Sequence, residues 1–413
     1  MRPMSQILRA ETESGRPQIT FFDSGLGGSA LVPPFIEGGH RKYFYDYDIV
    51  LYADHEGLPY GNKNASYILE RVARAIERAA ENGSDIFIIA CNTASAVCFG
   101  PEGDEQNPNA PINRWRKDHP NEKISNMKII GIIRPAALEL KRDVEAAVQI
   151  GIEEAKKGKM GNKNRGIWPG QRVDVMVFAT DRTVRSGAYI DAIERAFKDS
   201  QELHHQIKVC AVACPGLADR IEACHKLSVH NHNDDLLNFL NDFAKEMKGE
   251  LRDKSFRALI PACTHYWFIH HLIKRSLKKN GVTVHNDVLN DANIAEYMVE
   301  DLGLDVPHLY HDPQRGKREI SAYSTKPESE LEEKTSALGH LFSRRHEGVL
   351  EFNDIFKGVR FKHLDLGNLT HDISPEILEA VDQAPLVRTY SAATINQPLA
   401  RSRPRTHRGH LTL

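Results

Sequence analysis

The chain has 413 residues, a net charge of -2 and 41% hydrophobic residues, the balance of an ordinary globular protein with room for two or three domains. That balance argues against a nucleic-acid or membrane surface. No apolar run approaches the roughly 18 residues of a membrane span, and residues 1–18 lack the apolar core of a secretion signal. Six cysteines in so long a chain are no disulfide framework. The expected setting is the reducing cytoplasm, where thiols stay free and the partners are small molecules and further copies of the chain.

Residues 1–17 are polar and charged and read as a disordered lead-in. A strand over 18–22 empties into the turn Asp23-Ser24-Gly25-Leu26-Gly27-Gly28, whose glycines lack the spacing and the acidic partner of a dinucleotide fingerprint. A second strand over 49–53 delivers Pro59-Tyr60-Gly61, where glycine lets the backbone approach a ligand and tyrosine offers a polar tip. Ile68, Leu69, Val72, Ala75, Ile76 and Ala79 then recur at helical spacing over 66–81. Asp85-Ile86-Phe87-Ile88-Ile89-Ala90 is a buried strand with Cys91-Asn92-Thr93 at its end, and a helix opens near Ser95. From 99 to 127, Gly, Pro, Asn and charged residues predict an inserted surface excursion, before a strand over 128–133 and a helix over 135–154. A second insertion, basic and glycine-rich, spans 156–172 and reads as a solvated loop.

The second half repeats this grammar. A strand over 173–179 leads into a turn over 180–186, where Thr183 either offers its hydroxyl to a carboxylate or caps the helix from Gly187. A strand over 209–213 ends at Cys214-Pro215, and a helix over 217–223 carries Glu222. Cys210, Cys214, Cys224, His225, His230 and His232 gather here, but their spacing departs from the paired knuckles of zinc sites and no metal is assigned. After a helix over 233–248, the strand over 257–262 ends at Cys263-Thr264-His265: again Ala-Cys, again threonine within two residues. Trp267 either narrows a pocket mouth or fills a gap under a helix. A helix over 269–277, a strand over 283–286, a helix over 290–302 and a closing strand and helix over 319–341 follow. The arginine-rich stretch 388–413 reads as solvated disorder.

The two cysteines matter because of where they stand. Ligands of parallel α/β sheets sit beyond the carboxyl ends of the strands, where N–H groups of the following helices point outward. A free thiol, with a pKa of about 8.5, gains thiolate character at a helix N-terminus. A thiolate and a thiol on either side of a carbon acid can remove a proton from one face and return one to the other, which inverts the centre.

Five ordered motifs carry a resemblance: Phe22-Asp23-Ser24-Gly25-Leu26-Gly27-Gly28, Leu58-Pro59-Tyr60-Gly61, Ala90-Cys91-Asn92-Thr93-Ala94-Ser95-Ala96, Cys214-Pro215 with Glu222, and Ala262-Cys263-Thr264-His265-Tyr266. Over residues 18 to about 345 the chain resembles the glutamate racemases of the cofactor-independent aspartate/glutamate racemase superfamily. The resemblance implies an α/β fold of two doubly wound domains related by a pseudo-twofold axis, with the active site in the interdomain cleft. Residues 18–132, completed by 285–345, would form the first domain and 133–284 the second, leaving 346–413 as a partly disordered C-terminal extension. It further implies a homodimer that interconverts L- and D-glutamate without cofactor or metal and supplies D-glutamate for peptidoglycan.

In the same resemblance Cys91 and Cys263 act on opposite faces of the α-carbon, supported by Asp23 and His265, with Glu222 tuning His265. Asp23, Ser24, Pro59, Tyr60, Gly61, Asn92, Thr93, Thr183, Thr264 and His265 would surround the substrate. On charge alone, Asp23 disfavours a thiolate at Cys91 yet can accept its proton, whereas protonated His265 favours a thiolate at Cys263. The alternatives are aspartate or another acid as substrate, and a catalytically silent binding or regulatory protein on the same fold.

Overall fold

Strands that are apolar on both faces need helices on both sides, and parallel pairing with helical crossovers supplies them. The computed structural model describes residues 17–32, 47–100, 105–157, 166–168, 170–200, 206–223, 229–247, 254–287, 320–326 and 361–384, with a few isolated positions between. Its strands form two parallel sheets. The first contains β1 (Gln18–Asp23), β2 (Asp48–Ala53), β3 (Ile86–Ile89) and β4 (Lys128–Gly131), the second β5 (Val173–Ala179), β6 (Ile207–Ala213), β7 (Ser255–Ala262) and β8 (Thr283–Asp287). The chain later returns to the first sheet with β9 (Ile320–Ser324) and β10 (Phe361–His363). The spatial orders are β10-β9-β2-β1-β3-β4 and β6-β5-β7-β8. Each sheet therefore repeats the same second-first-third-fourth winding, in which β3 and β7 are equivalent and Cys91 and Cys263 follow them.

The helices in chain order are α1 (Ala65–Glu81), α2 (Asn92–Phe99), α3 (Pro111–Lys117), α4 (Glu122–Asn126), α5 (Ile133–Lys156), α6 (Asp181–Arg185), α7 (Ala188–Ala196), α8 (Leu217–Glu222), α9 (Val229–Glu246), α10 (Thr264–Lys279) and α11 (Pro375–Gln383). α5 ties the halves together. Its buried stripe of Ile133, Ala136, Ala137, Leu140, Val144 and Ala147 belongs to one core that runs from Ile19 and Phe21 of β1 to Val175 and Val177 of β5. On the opposite face of the first sheet, α1 packs Ile68, Leu69, Val72 and Ile76 against Phe22, Phe87 and Ile89. None of the described helices is long and apolar enough to cross a membrane.

The expected surface excursion at 99–127 is corrected by the structure. Its turn-forming composition conceals the short helices α3 and α4, which bury Ile112, Trp115 and Ile124 in the second core. Part of what they bury against comes from far away: Leu364, Leu366, Ile373, Ile377 and Val381, from a segment that matches none of the five motifs. Trp267 fills a gap rather than narrowing a mouth, being buried in the core with its indole N–H donated to the Pro261 carbonyl at 2.8 Å. Cys210 within β6 and Cys214 just past it are buried and form no disulfide. Cys224, His225, the helix over 290–302, the closing helix beyond 326 and the stretches 1–16 and 385–413 lie outside the described residues, as do the side chains of His230 and His232.

Candidate active site

A winding that steps both ways from a central strand opens a crevice at the carboxyl ends, between that strand and its third-placed neighbour. In the first half the crevice lies between β1 and β3, so Asp23 and Cys91 flank it. In the second it lies between β5 and β7, so Thr180 and Cys263 flank it. The two crevices face each other. Asp23, Ser24, Pro59, Tyr60, Gly61, Asn92, Thr93, Thr264 and His265, together with both Cys91 and Cys263, line one cavity of about 30 Å³. Thr183 and Glu222, also expected at the site, stand one hydrogen bond behind that lining. Leu58, Thr180 and Ala218 line it too. Of these only Thr180 had a legible signal, its place one residue past β5.

Cys91 is the N-cap of α2 and is buried, with its thiol 3.7 Å from the Ser24 hydroxyl. Burial pushes this thiol well up, and the neighbouring Asp23 carboxylate pushes it further. Asp23 accepts hydrogen bonds from the Ser24 N–H at 2.6 Å and, across the cleft, from the Thr264 hydroxyl at 2.7 Å. Its own carboxyl is raised by burial, although His265 and those two donors oppose the shift.

The other thiol has the opposite surroundings. Cys263 is the N-cap of α10, with Sγ 3.8 Å from His265 Nδ1. His265 Nε2 in turn contacts Glu222 Oε1 at 2.7 Å, and the same oxygen accepts the Leu26 N–H at 2.6 Å. Burial would lower the imidazole, but contacts with Cys263 and Glu222 outweigh it and hold His265 well above its ordinary value. Burial would raise Glu222, but His265, His55 and the Leu26 N–H hold it down to about 2. A carboxylate, an imidazolium and a sulfur thus stand in line. Gly25 is required at this approach, since a Cβ there would collide with the Glu222 carboxylate.

The remaining groups are donors with few charges. Thr93 Oγ1 lies 3.1 Å from the hydroxyls of both Thr180 and Thr183, linking the halves. Thr180, not Thr183, is the N-cap of α6. Asn92 accepts the Tyr189 hydroxyl at 2.5 Å, and its buried Nδ2 has no hydrogen-bond partner among the described residues. Tyr60 donates to Asp54 at 2.7 Å, and Asp54 is held by Arg71 and Thr325, a support the motif spacing gave no sign of. The N-termini of α2 and α10 stand at the cavity lining through Asn92 and Thr93 and through Thr264 and His265, where the partial positive charge of a helix start favours carboxylates and thiolates.

No family model matches the chain. It is 25% identical over 281 residues to a glutamate racemase of Phenylobacterium zucineum, an alignment covering 68% of this chain and 84% of that protein. It is 28% identical over 270 residues to the glutamate racemase of Aquifex pyrophilus, covering 63% and 74%. In fold it is similar to a glutamate racemase isoform of Bacillus anthracis, with a TM-score of 0.52 and 18% identity over 85% of this chain and 98% of that one. The glutamate racemase of Francisella tularensis, solved in complex with D-glutamate, gives a TM-score of 0.52 and 20% identity over 86% and 99%.

Proposed function

We propose that this chain, a relative of the glutamate racemases in sequence and fold, interconverts L- and D-glutamate by a two-base mechanism, with Cys91 and Cys263 on opposite faces of the α-carbon. The observation that carries this reading is that the two thiols reach a single cavity from equivalent ends of two sheets with the same winding. Their environments favour opposite roles: an imidazolium fixed by Glu222 stands beside Cys263, where it stabilises negative charge on sulfur, while Cys91, buried beside Asp23, holds its proton.

In one direction the Cys263 thiolate takes the α-proton while the Cys91 thiol delivers its own to the opposite face. In the other direction the roles exchange: the Asp23 carboxylate, linked to Cys91 through Ser24, takes its proton while the His265 imidazolium gives one to Cys263, so that Cys91 takes the α-proton and Cys263 delivers one to the opposite face. The negative charge that develops on the substrate is met by the N-termini of α2 and α10, the Asn92 amide and the Thr93 and Thr180 hydroxyls, which Thr183 supports from behind. No cofactor enters these steps. A dicarboxylic amino acid suits a site with two helix N-termini and few full charges.

We place the enzyme in the reducing cytoplasm, as a homodimer with no nucleic-acid or membrane partner, making D-glutamate for peptidoglycan. L-Glutamate incubated with the protein in deuterium oxide tests the chemistry: the expected result is loss of optical activity together with deuterium at the α-carbon. Cys91→Ser and Cys263→Ser should each lower kcat by about 10² to 10⁴. Neither inversion nor exchange, or a Cys91→Ser variant as active as the parent, would show a silent protein on this fold. Faster turnover of aspartate than of glutamate would move the same chemistry to another acid.

A further inference from the structure

A larger cavity, of about 250 Å³, lies outside the candidate active site. Val97 and Phe99 of α2 and Ile377 and Val381 of α11 make its apolar wall, and Arg114 of α3 and Arg182 of α6 bring charge to it. No acidic residue is among its described lining residues. Asp181 and Asp382 act on Arg182 through space, and Glu376 on Arg114, but none of the three lines the cavity. The Arg182 Nε is buried with no hydrogen-bond partner among the described residues. An apolar volume with two guanidinium groups, one holding an unmatched buried donor, is complementary to an anion with an apolar body.

We propose that this cavity binds a small carboxylate with an apolar body of about eight carbons, and that its ligand is coupled to the candidate active site. The coupling follows from the walls. Val97 stands one helical turn beyond Thr93, which lines the active-site cavity, and Arg182 adjoins Thr183, whose hydroxyl meets that of Thr93 at 3.1 Å. A ligand between α2 and α6 therefore touches both sides of the contact that joins the halves. Two of the four walls, α3 and α11, come from stretches outside the five motifs.

Calorimetric titration of the full chain with octanoate tests this, with 1-octanol as the neutral control and with or without saturating D-glutamate. We expect one site per chain, weakened about tenfold or more in Arg114→Gln, in Ala380→Trp and for octanol. Both substituted residues are exposed and lie outside the active-site cavity, so the variants fold and bind D-glutamate as the parent does. D-Glutamate should change the octanoate Kd about fivefold, and octanoate the D-glutamate Kd by the same factor. Absence of saturable binding, equal affinity for octanol, or full affinity in Ala380→Trp overturns the site; an octanoate Kd indifferent to D-glutamate overturns the coupling. Octanoate binding is read without turnover, so its failure is distinguishable from a failure of the racemase assignment.

Discussion

Glu222 is a fully buried carboxylate whose charge is kept by His265 and by the Leu26 N–H, and the second of these reaches from the second half of the molecule into the first. Its pKa of about 2, against an ordinary 4.5, means that its contribution to stability is fully present above pH 4.5 and is lost as pH falls toward 2. Glu222→Gln keeps an acceptor for Leu26 but not the charge. The parent should exceed the variant in urea unfolding by about 3 kcal/mol or less at pH 7, with the gap narrowing below pH 4.5; a gap equally wide at pH 3 would contradict the assignment. Asp23 acts on Cys91 in the reverse sense, as the second cause, after burial, of that thiol's raised pKa. Asp23→Asn should therefore speed iodoacetamide labelling of Cys91 about threefold to tenfold, read by peptide mass spectrometry, while lowering kcat by about 10²-fold through loss of the proton acceptor.

At the scale of elements, long buried strands announced themselves and small amphipathic pieces did not. Ile86–Ile89 and Ser255–Ala262 were legible because continuous apolar runs bounded by Ala-Cys leave little choice of structure. The helix α3 was not, because Ile112 and Trp115 sit among prolines and asparagines and owe part of their packing to the 361–384 segment some 250 positions away, a contact that no local pattern encodes. The clasp that closes this contact is Glu77 of α1, which accepts hydrogen bonds from the N–H and hydroxyl of Thr370 and the N–H of His371, and meets His119 Nε2 at 3.1 Å. Glu77→Gln replaces a charged acceptor that serves four donors with a neutral one. It should destabilise the 361–384 segment by about 1–3 kcal/mol and raise amide exchange there by about five- to a hundredfold, with exchange in the second sheet unchanged.

For the whole molecule, the recurrence of strand, Ala-Cys and threonine announced two similar half-sites, whereas the strand order and the closeness of the two halves were not legible, the latter because it is set by side chains that meet across the cleft. Thr264 to Asp23, Leu26 to Glu222, Tyr189 to Asn92 and the Thr93, Thr180 and Thr183 hydroxyls all span it. The cavity they enclose, about 30 Å³, has room for about one water molecule. Glutamate can enter only if the halves part, so part of its binding energy must be spent on the balance between open and closed forms. Tyr189 offers a clean test because its hydroxyl joins α7 to Asn92 and its ring stays in the core without it. Tyr189→Phe removes one buried hydrogen bond from this closed form, a loss of about 1–2 kcal/mol, which favours parting of the halves and should lower KM about five- to thirtyfold while leaving kcat within about twofold. An equal fall in kcat with KM unchanged would show instead that Tyr189 acts on the transition state, through the Asn92 amide, rather than on closure.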